Sequence, residues 1–132
     1  MKYFFDTNII SNLVKKDDST ISLIKNIIND DSEFFINKLV YIESLRAIPM
    51  THKKLFKATK ETLDNFIKLD INKEIYDESI IFARFCKNKG INLGKCEVID
   101  YLHFITAKYY NLKIISYDKD LERLEDMYKI FK

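Results

Sequence analysis

The sequence predicts an α/β domain on a central, mainly parallel sheet of about four to five strands, and three observations predict it. Short apolar runs alternate with longer segments of helical periodicity, the pattern of buried strands joined by crossover helices that cover both faces of a sheet. Acidic side chains follow the ends of several such runs, where open α/β sheets present their sites. Two glycines and one proline in 132 residues make the chain helix-rich, with few and tight loops.

Lys2 to Phe5 reads as the first strand, and a helix follows from about Asn8 to Lys15. Asp17, Asp18, Ser19 and Thr20 form a polar break with capping residues. A second helix, about Ile21 to Asn29, places Ile21, Ile24, Ile27 and Ile28 on one face. Glu33 to Ile36 is the second strand. A helix opening at Asn37 or Lys38 carries Leu39, Tyr41, Ile42, Leu45 and Ile48, and Pro49 stops it. Thr51 is placed to cap a long helix to about Phe66, with Leu55, Ala58, Thr62 and Phe66 inward and Lys53, Lys54, Lys57 and Lys60 outward. Ile67 to Ile71 makes a short third strand. Another helix runs from Asn72 to about Asn88, with Gly90 as its stop. The loop from Ile91 to Lys95 leads into a helix from about Cys96 to Tyr110. Leu112 to Ser116 is a buried strand, Asp118 to Asp126 a short helix, and Tyr128 to Phe131 a last strand.

This length is near the commonest domain size, so a single domain over residues 1–132 is the expectation. Hydrophobic residues, at 47%, suffice for a core, and the 32% charged residues suffice for a solvated surface. No apolar run approaches the roughly 18 residues of a membrane span, and the N-terminus lacks a signal-peptide pattern. Cys86 and Cys96 stand without a CxxC pair or a histidine at zinc-finger spacing. They read as reduced thiols in a cytoplasmic protein, not as a disulfide framework or a structural zinc site. The net charge of +2 permits polyanion binding without demanding it.

Four acids recur at equivalent places: Asp6 after the first strand, Glu43 in the second turn of the helix after the second, Asp100 one turn into the helix opening at Cys96, and Asp118 after the fourth strand. Parallel strands should bring all four to one rim. Each has a plainer reading: Asp6 and Asp118 as helix N-caps, Glu43 as a solvated helix residue. Glu97 is a favourable first-turn charge. Asp100 resists such a reading, because its helix from Val98 to Ala107 is apolar on most sides and an ionised carboxylate there needs a partner or a metal. Four acids in one pocket need a hard cation, and oxygen-only ligands suit Mg²⁺ or Mn²⁺. Such a centre activates water for in-line phosphoryl displacement, the chemistry of a phosphodiesterase. Setting those four aside leaves 16 of 20 acids against 22 basic residues, a remaining charge of +6 that favours a polyanionic substrate.

These stretches resemble those of PIN-domain proteins, in particular the small toxins of VapBC toxin–antitoxin pairs. The resemblance rests on Asp6-Thr7-Asn8, on Tyr41-Ile42-Glu43-Ser44-Leu45, on the segment from Asp100 to Ala107, and on Ile114-Ile115-Ser116-Tyr117-Asp118-Lys119-Asp120-Leu121. It covers nearly the whole chain in order. It implies a three-layer α/β/α fold and a metal-dependent endoribonuclease that cleaves RNA (tRNA, rRNA or mRNA), is usually a homodimer, and is silenced by a cognate antitoxin. Carried over by position, Asp6, Glu43, Asp100 and Asp118 hold Mg²⁺ or Mn²⁺. Thr7 and Ser116 support the pocket with hydroxyls, Asn8 orients the first acid or its water, and Asp120 is an outer ligand or a first-turn helix acid. Leu121 departs from the common Phe, and Tyr101 from the usual Ala.

His103, one turn past Asp100, is placed to approach the pocket but reads first as a packed core residue, and His52 as a surface one; the lysine stripe reads first as a solvated face, with phosphate contact as the alternative. Three other readings compete with the toxin nuclease. A housekeeping RNA-processing nuclease would share the fold. A receiver-like Mg²⁺-binding signalling domain would want an acidic pair at the first strand and a late lysine. A catalytically silent binding module is opposed by the complete acid set.

Overall fold

The computed structural model describes residues 1–91 and 97–132. Its strands are β1 (Lys2–Phe5), β2 (Glu33–Asn37), β3 (Ile67–Leu69) and β4 (Lys113–Ile115). Its helices are α1 (Thr7–Val14), α2 (Asp18–Ile27), α3 (Lys38–Arg46), α4 (Lys53–Asp64), α5 (Lys73–Asn88), α6 (Glu97–Tyr109) and α7 (Asp120–Phe131). The strands form one sheet in the order β3-β2-β1-β4, and every neighbouring pair is parallel. The α/β class with a central parallel sheet is therefore the one observed. The expected loop from Ile91 to Lys95 and helix start at Cys96 lie, Ile91 apart, outside the described residues.

The chain comprises two compact units, Met1–Asp70 with Lys113–Tyr117 and Ile71–Leu112 with Asp118–Lys132. In the first, β1 is central because it is the most apolar strand: Tyr3, Phe4 and Phe5 are all buried. The Phe5 ring meets Phe34 and Phe66 edge-on, each at 5.2 Å between centroids. Ile9, Ile10, Ile36, Val40 and Leu63 are fully buried with them. Asparagine and aspartate side chains start α1, α2, α3 and α5. Asp17 Oδ2 accepts from the Thr20 amide at 3.0 Å, and the buried Asn37 Oδ1 accepts from the Val40 amide at 2.8 Å.

The second unit is built round Phe82 on α5. Its ring stacks on Phe104 at 5.5 Å and meets Tyr101, Tyr128 and Phe131 at 5.8, 5.5 and 5.1 Å. Ile75, Cys86, Ile105 and Leu124 are fully buried beside it. Burial pushes the Cys86 thiol above its ordinary pKa, against a weaker opposite pull from its hydrogen bond with Tyr101. Helix ends turn through left-handed residues, Gly90 (φ 78°) after α5 and Asn111 (φ 58°) after α6. The Leu112 amide then donates back to the Ala107 carbonyl at 2.8 Å.

Several local expectations fail. Tyr128 to Phe131 is no strand; α7 continues through it. Leu124, Met127, Tyr128 and Phe131 recur at helical spacing, and a run of four residues with three apolar ones is too short to tell helix from strand. On α4 the inward residues are Thr59 and Leu63, while Leu55 and Ala58 are exposed. The helix accepts a buried threonine because the Thr59 hydroxyl donates to the Leu55 carbonyl at 2.8 Å. His52, not Thr51, occupies the N-cap, with no side-chain capping bond. Ile28 lies past the end of α2 in extended backbone and is exposed.

Truncating Phe82 to Ala removes the ring that four others touch. It should cost about 3–5 kcal/mol in urea unfolding, where Phe82→Leu costs markedly less. Equal midpoints for Phe82→Ala and the parent chain would refute this account of the second unit.

Candidate metal centre

Because β1 and β4 are parallel neighbours, with Phe5 opposite Ile115, the residues just beyond each end come side by side. The Asp6 amide extends the ladder by donating to the Ile115 carbonyl at 3.1 Å. Next to it, the Ser116 hydroxyl donates to Asp6 Oδ2 at 2.8 Å. The other carboxylate oxygen, Oδ1, accepts from the Thr7 amide at 2.7 Å, so Asp6 also caps α1. Asn8 uses both ends of its amide: Nδ2 donates to Ser116 Oγ and Oδ1 accepts from the Tyr117 amide, each at 3.2 Å. The Thr7 hydroxyl donates to Glu43 Oε1 at 3.0 Å, which ties the start of α1 to the middle of α3. Asp6, Thr7, Asn8, Glu43 and Ser116 thus form one hydrogen-bonded set in the first unit, all of them half-buried. Hydroxyl and amide donors hold two carboxylates there in fixed orientations.

The second unit holds an acidic set of its own residues. Asp100 on α6, Asp118 before α7 and Asp120 in its first turn each offer a carboxylate oxygen, and these oxygens all lie within 4.8 Å of one another. All three residues are half-buried. Asp118 Oδ1 accepts from the Asp120 amide at 2.9 Å, which fixes the carboxylate ahead of α7. Two full charges about 5 Å apart repel by roughly 3 kcal/mol at an effective dielectric of about 20, so three ionised carboxylates favour a cation. The donors fit one: oxygens on opposite sides of a bound Mg²⁺ or Mn²⁺ are roughly 4–4.5 Å apart, within reach of a small side-chain rotation. Asp100, Asp118 and Asp120 are the residues of this unit that could hold a divalent ion.

Asp120 therefore stands level with the other two acids of its unit. A sequence alone reads it equally well as a first-turn helix charge, which it also is. His103 is buried on α6, and Tyr101 spends its bulk in the aromatic core against Phe82. His52 is exposed, as are Lys53, Lys54, Lys57 and Lys60 along α4. The residue that sequence reasoning passed over is Tyr117, an exposed aromatic between Ser116 and Asp118. Its type and position were visible, but its anchoring was not. No helix among the described residues is long and apolar enough to cross a membrane.

The sequence matches the family model described as "PIN domain" over residues 3–127. No curated protein matches it closely in sequence. Among solved structures it is similar to a chain of the VapBC2 complex from Rickettsia felis bound to a promoter DNA fragment. The TM-score there is 0.80 at 16% identity, over 94% of this chain and 93% of that one. A toxin–antitoxin complex from Klebsiella pneumoniae gives 0.68 at 16% identity, over 88% and 86%. FitAcB from Neisseria gonorrhoeae gives 0.71 at 17%, over 88% and 87%. At such identities these likenesses show the fold, which is the three-layer α/β/α class with a central parallel sheet.

Adding Mn²⁺ or Mg²⁺ to chelator-stripped protein should raise its unfolding midpoint, since an ion at 100 times its Kd stabilises by about 2.7 kcal/mol. Asp118→Asn and Asp120→Asn should each remove most of that rise. A midpoint indifferent to both metals would end the case for an ion at these acids.

Proposed function

The chain belongs to the PIN-domain family, and from that premise we propose that it is a single-domain, divalent-metal-dependent endoribonuclease, the toxin of a toxin–antitoxin pair. The carrying observation is the convergence of Asp100, Asp118 and Asp120 on a volume the size of one cation. Support also comes from the first unit, where Ser116 and Thr7 orient Asp6 and Glu43. The similar structures from Rickettsia felis and Klebsiella pneumoniae are themselves toxin–antitoxin complexes.

In this reading Asp6, Glu43, Asp100 and Asp118 are the catalytic acids and the ligands of Mg²⁺ or Mn²⁺. Asp120 joins them as a supporting acid. A divalent ion so held supplies an activated water and neutralises charge during in-line displacement at an RNA phosphodiester. The chain's own work is orientation. The Ser116 hydroxyl and the Thr7 amide each take one oxygen of Asp6, which fixes the orientation of its carboxylate. The Thr7 hydroxyl steers Glu43, and Asn8 fixes the Ser116 hydroxyl that does the holding. Removing such a supporting donor typically costs about 10- to 100-fold. A cognate antitoxin silences the enzyme, which works as a homodimer.

The test incubates purified protein with mixed tRNA and rRNA, with Mg²⁺ or Mn²⁺ and with EDTA, beside Asp6→Asn, Asp100→Asn and Ser116→Ala. Cleavage should need the metal, vanish in both aspartate variants and fall about 10- to 100-fold in Ser116→Ala. Cleavage that persists in EDTA, or in both aspartate variants, removes the reading. The product of a flanking short open reading frame should bind the protein and stop cleavage; a partner that binds without inhibiting refutes the toxin assignment. A monomeric mass by light scattering refutes the homodimer.

A further inference from the structure

Tyr117 is 45% exposed although both of its ends are fastened. At the backbone, its amide donates to Asn8 Oδ1 at 3.2 Å, the same asparagine that holds Ser116 beside Asp6. At the ring's far end, its hydroxyl lies 2.7 Å from Thr20 Oγ1. The Thr20 hydroxyl has one hydrogen and gives it to Asp17 Oδ2 at 2.9 Å, a carboxylate that only accepts. The phenol is therefore the donor in the Tyr117–Thr20 bond. Thr20 is fully buried and Asp17 caps α2, so the ring is moored to a rigid helix start. A surface tyrosine ordinarily keeps its rotamer freedom; this one has lost it in advance while its ring stays open to solvent.

A pinned, open aromatic ring adjacent in sequence to a residue that grips Asp6 is suited to one kind of ligand group. Single-stranded RNA is read through unstacked bases laid on aromatic side chains, and an immobilised ring removes the ordering cost of that contact. We infer that Tyr117 is a stacking platform for an RNA base next to the scissile phosphate. The inference rests on the nuclease reading above and adds to it a contact that selects unpaired over duplex RNA. The Asp17–Thr20–Tyr117 chain is its brace.

The test uses short single-stranded RNAs carrying 2-aminopurine, whose fluorescence falls on stacking, and the same strands annealed to a complement. It compares the parent protein, Tyr117→Phe, Tyr117→Leu and Thr20→Val, each first checked for an unchanged unfolding midpoint. The parent should quench the single strand and not the duplex, Tyr117→Phe and Thr20→Val should keep most of the quenching, and Tyr117→Leu should lose it. In cleavage assays Tyr117→Leu should raise KM about 5- to 150-fold, the loss of one stacked base, while kcat falls far less. Quenching without metal-dependent cleavage supports the platform and refutes the nuclease reading. Cleavage with equal KM and quenching in the parent and Tyr117→Leu overturns the platform alone, and leaves the ring as a surface for protein contact. A Tyr117→Leu chain that unfolds early is replaced by Thr20→Val with Tyr117→Phe, which frees the ring without removing it and should raise KM; no rise overturns the inference.

Discussion

The hydrogen bond from Ser116 to Asp6 depends on one constraint, the parallel pairing of β1 with β4. That pairing sets Phe5 against Ile115, and every polar group beyond them follows from the register. A slip of one residue would part Ser116 from Asp6 and exchange the two packed faces of β1, where Phe4 and Phe5 are both fully buried. The buried phenylalanines of β1 therefore do more than fill space. They fix which carboxylate emerges at the rim and which hydroxyl meets it. Asn8 and Thr7 then extend the arrangement along α1 to the second acid, Glu43.

Half-burial suits this chemistry. A fully buried carboxylate would lose its charge, and a fully solvated one would wander. Asp6 and Glu43 are steered by hydroxyl and amide donors, which orient a carboxylate without neutralising it. In the second unit Asp100, Asp118 and Asp120 bring their carboxylate oxygens within 4.8 Å of one another. A cation bound by them would link stability to metal occupancy in the same three side chains.

Much of this was legible in the sequence. The parallel sheet followed from apolar runs such as Tyr3 to Phe5, because a strand buried on both faces has no polar positions to blur it. The helix starts at Asp17, Asn37 and Asn72 were readable because their side chains serve the local backbone. The phase of α4 was not. Its few apolar residues fit two faces equally, and burial of Thr59 depends on a bond to its own helix. The last turn of the final helix was hidden because Tyr128 to Phe131 makes sense as a strand until Phe82 is known to receive its rings. Asp120 and Tyr117 were undervalued for the same reason. What distinguishes them is a neighbour distant in sequence, Asp100 for one and Thr20 for the other.

The sequence separation of 110 from Asp6 to Ser116 also sets a timetable. Chains emerge from the ribosome N-terminus first, and a strand can pair only after it has emerged. Lys2–Phe5 is made first of the four strands and can meet Glu33–Asn37 early, yet its other edge stays open until Lys113–Ile115 appears. Until then Asp6 lacks the hydroxyl that aims it. Any activity that needs this pair is withheld from the nascent chain until Ser116 has emerged, and a product terminated before it lacks the pair.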